Sequence, residues 1–510
     1  MSKKHIIIIG AGIGGIATAA LLGKAGYRVS IYEKNARPGG RADSFTKDGF
    51  TFDMGPSWYL MPEVFKHFYE LVDEDVKKQL RLTKLNPAYK VFFEGHSEPV
   101  TITGIQKKDS QTFEAIESGA GQALNRYVSR GETIYRLSLK HFLYSNFTSI
   151  GDFFKKDILR HVGTMGLLAL LPIDRYVSQF VRDTRLKQIL EYPMVFLGTS
   201  PFSAPAIYSL MSALDFREGV FYPQGGMYTI IESLVTVSKK YDVTYFFNTP
   251  VERIMSSRGK ATGVRLANKR TVDAEIVISN ADLHFTENTL LAPADRSYPE
   301  SYWHNKQAGP SALLMYLGIK GKLPNLEHHN LLFADAWKQN FTAIYKTKSF
   351  PKPASLYICK PSGIDSTVAP RGQENIFVLV PLPPGVSLGE SKQRQLADQY
   401  LNQIADMIAV PDLKERIVFQ EFFGPNDFIT KFHSWQATAL GPSHLLRQSA
   451  MFRMPNKSKK LEDLYYVGGS TTPGIGLPMC LIGAELIYKR LASDKRGGQV
   501  DMIKYIGEKV

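Results

Sequence analysis

An α/β fold is predicted by three stretches of the 510-residue sequence. The first is the opening one, where Ile6 to Ile9 are four consecutive β-branched residues, a pattern for a strand buried on both faces. The chain then turns through Gly10, Gly12 and Gly15 into an Ala/Leu-rich helix. The second is a return of strand patterns between residues 220 and 282, and the third is a strand from Leu464 that runs into glycines and a further helix. Together they predict a Rossmann-type domain assembled from separate stretches, with a mixed-sheet domain and a helical region inserted between them.

Each glycine of the opening turn has a physical task. Gly10 permits the tight turn, Gly12 lets a pyrophosphate approach the backbone, and Gly15 lets the helix pack closely on the strand. The helix N-terminus offers free N–H groups and a positive dipole end to phosphate. A second strand, Arg28 to Tyr32, ends at Glu33, about 20 residues on, where a carboxylate accepts hydrogen bonds from ribose hydroxyls. The same charge repels a 2′-phosphate and disfavours NADP. These residues predict a dinucleotide site.

Composition narrows the remaining classes. With 44% hydrophobic residues the chain can bury a large core, organised in two or three lobes. The two cysteines, Cys359 and Cys480, suggest neither a disulfide framework nor a zinc site. A formal charge of +14 points to nucleic acid or to an anionic membrane surface. No nucleic-acid-binding motif accompanies it, so nucleic acid is not expected as a partner. No apolar run reaches the roughly 18–20 residues of a membrane span. The start of the chain runs almost directly into a strand, leaving no room for a signal peptide, so a cytoplasmic address is expected.

Along the chain, Lys34 to Asp43 breaks at Pro38, Gly39 and Gly40 and places Arg41 beside the expected phosphates. Trp58 to Val72 is aromatic-rich and amphipathic, Leu82 to Phe93 reads as a strand, and Glu114 to Ser145 as one long helical region. A basic segment, Phe153 to His161, precedes the apolar block Val162 to Ile173. That block suits either a core helix or an interfacial insertion, and its basic flanks suit anionic headgroups. A helix from Tyr228 to Lys240 leads to strands at 243–247 and 251–254, a hairpin at 263–273 and a buried strand at 276–280. Further strands are expected at 312–319, 354–358 and 375–380, with a helix from Ser391 to Ile408. His328 and His329 read as a surface pair, and no metal is expected. The domains are therefore 1–80, 220–290 and 455–510 for the dinucleotide, 81–110 and 291–454 for the substrate, and 111–219 for the helical, possibly membrane-associating region.

Gly39-Gly40-Arg41 resembles the second glycine–arginine motif of a large flavoprotein superfamily, the FAD-dependent amine oxidase and GDI-like proteins, and Gly49 to Ser57 resembles its next loop. The stretch Leu464 to Met479, with Asn280-Ala281-Asp282, Gly225-Gly226 and the loop Phe50 to Leu60, closely resembles the bacterial-type phytoene desaturases of carotenoid biosynthesis. Gly468-Gly469 replaces the Gly-Asp pair common among flavoproteins, which leaves phosphate contact there to the backbone. The resemblance implies FAD held by Gly10, Gly12, Gly14, Gly15, Glu33, Lys34, Gly40, Arg41, Gly55, Pro56 and Ser57. Val251 is implied against adenine, and Asn280 and Asp282 at a strand end near the cofactor. Gly468, Gly469, Ser470, Gly476, Leu477, Pro478 and Met479 are implied over pyrophosphate, ribityl chain and flavin ring.

The implied activity is FAD-dependent desaturation of phytoene toward lycopene or a partly desaturated intermediate. The implied enzyme works on a long polyene hydrocarbon, from the cytoplasmic face of a membrane and without spanning it. Such a substrate calls for an apolar tunnel rather than a charge cluster. No second glycine-rich nucleotide motif occurs, so a membrane quinone or oxygen is the expected electron acceptor. No catalytic residue is assigned; Asp174 with Arg175 reads as a surface ion pair rather than a proton acceptor. Other carotenoid-modifying flavoenzymes (isomerase, ketolase, C30 desaturase) stay open. An amine oxidase is disfavoured because Gly474 to Pro478 offers no aromatic residue beside the flavin. A non-catalytic prenyl-protein escort of the same fold is disfavoured by the intact glycine motifs.

Overall fold

The computed structural model describes residues 3–147, 163 and 165–507; the basic segment at 153–161 lies outside them. The strand His5–Ile9 is the middle of a five-stranded parallel sheet. Ile276–Ser279 and Leu464–Tyr466 lie on one side of it, Arg28–Tyr32 and Thr244–Phe246 on the other. The isoleucine run divides as period two requires. Ile6 and Ile8 pack against the helices Ile13–Lys24, Tyr228–Lys239 and Leu477–Leu491. Ile7 and Ile9 face a three-stranded antiparallel sheet, Val251–Ser257, Lys260–Leu266 and Thr271–Asp273, together with Trp303.

A second, mixed sheet of seven strands runs in the order Ile417–Phe423, Ser311–Lys320, Gln373–Leu382, Leu356–Cys359, His329–Phe333, Tyr89–Phe93, Val100–Ile102. Both faces are covered. Leu313, Met315, Leu317 and Ile319 meet Leu396, Tyr400, Leu401 and Ile404 of the helix Glu390–Met407. Ala312, Leu314 and Tyr316 join an aromatic layer closed by the helices Ala120–Ser138, Thr184–Glu191 and Ser209–Glu218. The near-continuous apolar run of Ser311–Lys320 is what two-sided burial demands.

Four elements differ from expectation. The single helix at 114–145 is two, Gln106–Ile116 and Ala120–Ser138, parted by Gly119 at φ 82°, a left-handed turn that glycine adopts without strain. The strand at 82–93 is split around Asn86-Pro87 into Leu82–Lys84 and Tyr89–Phe93, and the first piece pairs with Phe221–Pro223 instead. His329–Phe333 and Ile417–Phe423 are strands that the pattern alone did not mark. Within the apolar block, residues 165–170 are helical; Leu168 is buried, while Leu167 and Leu170 are 64% and 76% exposed. No helix among the described residues is long and apolar enough to cross a membrane.

Buried ionisable groups set the pH profile of this fold. Burial pushes the carboxyl of Asp215 up to about 7 and that of Glu191 up to about 8. A raised carboxyl adds stability at low pH that is lost as pH climbs through the folded value. Burial lowers His328 to about 3 and His433 to about 4, so their contribution is lost as pH falls below about 6.5, where the unfolded chain takes up protons first. Of these four groups, only the two carboxyls still titrate above pH 6.5. The denaturation midpoint should therefore decline between about pH 6.5 and 8.5, and Glu191→Gln should flatten that decline. Chemical unfolding across this range checks it, and a midpoint that rises would contradict it.

Candidate cofactor site and substrate face

Three distant stretches meet above the central strand. Gly10 turns at φ 96° and donates its N–H to the Tyr32 carbonyl at 2.8 Å. The helix Ile13–Lys24 then starts from Gly12 with no side chain capping its first turn and no acidic residue there. A Cβ on Gly15 would stand 2.3 Å from the Gly10 carbonyl oxygen, so helix and strand approach as only glycine allows. Asn280, just past the strand Ile276–Ser279, lies over this turn. Its side chain would meet a Cβ on Gly12 at 2.7 Å or on Gly14 at 2.8 Å, and its Nδ2 donates to the Gly10 carbonyl at 3.4 Å.

The second motif is folded onto the first. Gly39 donates its N–H to the Ala11 carbonyl at 2.8 Å, at a backbone φ of 125°. Glu33, buried at the end of the second strand, accepts from the Ala11 N–H at 2.7 Å and from Asn35 at 2.8 Å. Its carboxylate therefore braces the glycine turn. Arg41 is half-buried; its Nη2 donates to Ser434 Oγ at 2.7 Å, while its Nε, itself shielded from solvent, has no partner. Burial lowers its pKa, with the charge of Asp282 acting against that. Gly55 is fixed by crowding, since a Cβ there would lie 2.6 Å from the Arg41 carbonyl oxygen.

The third stretch closes from the far end of the chain. Gly468 turns at φ 116° beside the Asn280 amide, and Gly469 accepts from the buried guanidinium of Arg453 at 2.5 Å. Ser470 follows in the same turn. The helix Leu477–Leu491 starts at Gly476, again without a side-chain cap, with Pro478 in its first turn and Leu477 and Met479 against the domain core. Val251 is buried at the start of the three-stranded sheet, one turn beyond Thr249, whose N–H donates to the Glu33 carbonyl. Two uncapped helix starts and a half-buried arginine with a free donor fit an anionic pyrophosphate.

Not every expected residue joins this cluster. Lys34 faces away, donating to the Thr430 carbonyl at 2.7 Å. Ser57 turns to the seven-stranded sheet, where its hydroxyl bonds Tyr357 at 2.8 Å. Beside it, Trp58 anchors an aromatic wall, stacked on His329 at 4.2 Å and flanked by Phe196, Tyr89, Tyr357 and Tyr192. Tyr89 and Tyr192 both donate to Asp215 Oδ2, at 2.7 and 2.8 Å. The wall is largely apolar, with the Tyr89, Tyr192 and Tyr357 hydroxyls bonded and only Trp58 Nε1 and His329 Nε2 left without partners, which suits a long hydrocarbon.

Sequence reasoning missed several of these groups. Asp53 accepts from the N–H groups of Met227 and Tyr228 at 2.8 and 3.0 Å, capping the helix that follows Gly225-Gly226, and burial pushes it up to about 6. Asp215 and Glu191 carried no motif at all. The histidine pair is not on the surface: His328 and His329 are both buried, and strand pairing of His329 with Cys359 brings that thiol to them. Asp174, half-buried, opens the short helix Ile173–Val177.

Residues 13–485 match the model of the flavin containing amine oxidoreductase family. The chain belongs to that family and is an FAD-dependent oxidoreductase. Within it, the chain is one of the carotenoid desaturases. It is 38% identical to the carotenoid 3,4-desaturase of Haloarcula japonica, over 97% of this chain and 99% of the other. It is 32% identical to the zeta-carotene-forming phytoene desaturase of Myxococcus xanthus, over 96% and 94%. Putrescine oxidase bound to putrescine shares the fold at a TM-score of 0.62 and 14% identity, over 97% of this chain and 99% of that one.

Gly15→Ala should abolish flavin retention and destabilise the chain, because neither the Gly10 carbonyl nor the helix backbone can yield 1 Å or so without breaking the turn. Gly389→Ala, where an added methyl meets nothing, is the matched control. Flavin absorbance per chain after gel filtration reads both. Arg41→Met should lower retention without unfolding the domain.

Proposed function

We propose that this chain desaturates an acyclic carotenoid while docked on a membrane surface. The observation that carries the substrate class is the aromatic layer in which half-buried Trp58 and Phe196 lie over buried Tyr89, Tyr192, Tyr357 and His329, an apolar surface that suits a rod-like polyene. Bound FAD supplies the two-electron acceptor. The protein's own part is to align the chain along the wall, exclude water and hold the cofactor through the glycine turns and Arg41. Two positions on such a substrate are distinguished by the relatives. Phytoene-series desaturation is the activity in the name of the Myxococcus xanthus relative, and 3,4-desaturation that of the Haloarcula japonica relative. The higher identity to the latter, 38% against 32%, favours attack near the chain end.

The membrane reading rests on Leu167 and Leu170, both exposed on one short helix in a block with basic flanks. The site of action would be the cytoplasmic face, with a quinone or oxygen removing the electrons.

The test is FAD-loaded protein on anionic liposomes carrying either phytoene or lycopene, with a quinone analogue under anaerobic conditions or with air. Lengthened absorption bands from lycopene support the terminal position, and colour from colourless phytoene supports the phytoene series. No change in either substrate, with flavin bound, overturns the proposal. Trp58→Ala should lower kcat/KM by about tenfold or more, in keeping with a lost aromatic platform. Leu167→Asp with Leu170→Asp should release the protein from vesicles in a flotation assay while leaving flavin content unchanged.

A further inference from the structure

At the edge of the aromatic wall the seven-stranded sheet carries a polar cluster whose chemistry a hydrocarbon does not call on. His328 and His329 stand side by side at the start of one strand with their rings nearly perpendicular, centroids 4.4 Å apart. Cys359, on the neighbouring strand, is the register partner of His329. One donor atom from each of the three falls within 4.8 Å of the others, and Cys359 Sγ is 3.5 Å from His328 Nε2. All three residues are buried.

The hydrogen bonding is incomplete in an informative way. His329 Nδ1 shares a hydrogen bond with the Tyr357 hydroxyl at 2.6 Å, and that hydroxyl is held in turn by Ser57 Oγ at 2.8 Å. Its other nitrogen, Nε2, has no partner, and neither does His328 Nδ1. Buried ring nitrogens left unpaired are costly. A histidine whose one nitrogen is fixed by an outer hydrogen bond while the other stays open is the arrangement of a metal ligand. Stacking on Trp58 at 4.2 Å further fixes the His329 ring. Beside the cluster is a cavity of about 10 Å³, room for about one water, lined by Asp53, Ser57, Tyr222, His328 and Cys359.

We propose that His328, His329 and Cys359 bind one divalent cation of the zinc class, with the fourth position open to a water in this cavity. Two imidazoles and a thiolate are the donor set such an ion selects over harder cations. Binding releases the thiol proton to solvent and forms the metal–sulfur bond in its place. The resulting charges balance: the dication is offset by the thiolate and by the Asp53 carboxylate lining the same cavity. All three ligands belong to the sheet of the second domain, and the open position faces Asp53 and Ser57 of the loop from the first. This does not depend on which carotenoid the enzyme takes.

The probe is zinc itself, added to the FAD-loaded full chain by dialysis and removed of excess before elemental analysis. One zinc per chain is expected, with a coordination shell of one sulfur and two imidazole nitrogens by X-ray absorption at the zinc edge. Cys359→Ser should remove the sulfur from that shell and weaken binding, and Tyr357→Phe, which frees the His329 ring, should weaken it about tenfold. Flavin content and circular dichroism confirm that each variant is folded. Failure of the wild-type chain to retain zinc, a shell without sulfur, or binding unchanged by Cys359→Ser would each overturn the proposal. The wild-type spectrum decides even if a variant fails to fold.

Discussion

Everything in the first domain depends on backbone approaching backbone more closely than any side chain permits. Around Asn280, the turns at Gly10–Gly15 and Gly468–Gly469 crowd together from stretches hundreds of residues apart in sequence, and Gly39–Gly40 packs onto the first of them. Where a methyl group would intrude, peptide N–H groups stand instead, and two helices begin there without capping side chains. The crowding that excludes side chains is therefore what leaves unpaired donors for a pyrophosphate. Glu33 serves both needs, since one carboxylate oxygen pins the turn at Ala11 while the other orders Asn35.

The second domain works on the opposite rule. Its sheet is covered by aliphatic side chains from the helix Glu390–Met407 on one face and by aromatic ones on the other. Aliphatic packing fixes the sheet as a rigid plate, and the aromatic face offers broad flat surfaces whose polar edges, Tyr89 and Tyr192, are tied to Asp215. The loop from Asp53 to Trp58 links the two rules. Asp53 holds the helix start at Met227, two residues on Gly55 touches Arg41, and Ser57 and Trp58 reach the sheet.

What the sequence made legible followed from local chemistry. The β-branched run, the three-glycine turn, the acid about 20 residues on and the uncapped helix after Gly476 each announce a backbone requirement through neighbouring residues. The break at Gly119 was hidden because the apolar period continues across it on both sides. The wall around Trp58 and the burial of His328 and His329 were hidden for a different reason. They arise from strand pairing, and the register that sets His329 beside Cys359, or Leu331 beside Tyr357, has no mark in linear spacing. Asp215 illustrates the same limit, because its meaning comes from two tyrosines on other elements.

The order of strands in the parallel sheet has a consequence for how the chain is made. Its central strand, His5–Ile9, is made well before its neighbour Ile276–Ser279 and before the sheet's edge at Leu464–Tyr466, although its other neighbour, Arg28–Tyr32, follows closely. The turn at Gly26 is closed still later, by the N–H groups of Ile506 and Gly507 donating to the Ala25 carbonyl. At about 5–20 residues per second of synthesis, an isoleucine strand and an almost wholly apolar helix wait roughly half a minute or longer for their partners. During that wait they are exposed, sticky and unable to hold a nucleotide. The crowded ring of glycine turns around Asn280 is therefore complete only after Gly468–Gly469 has been made, hundreds of residues after the turn at Gly10.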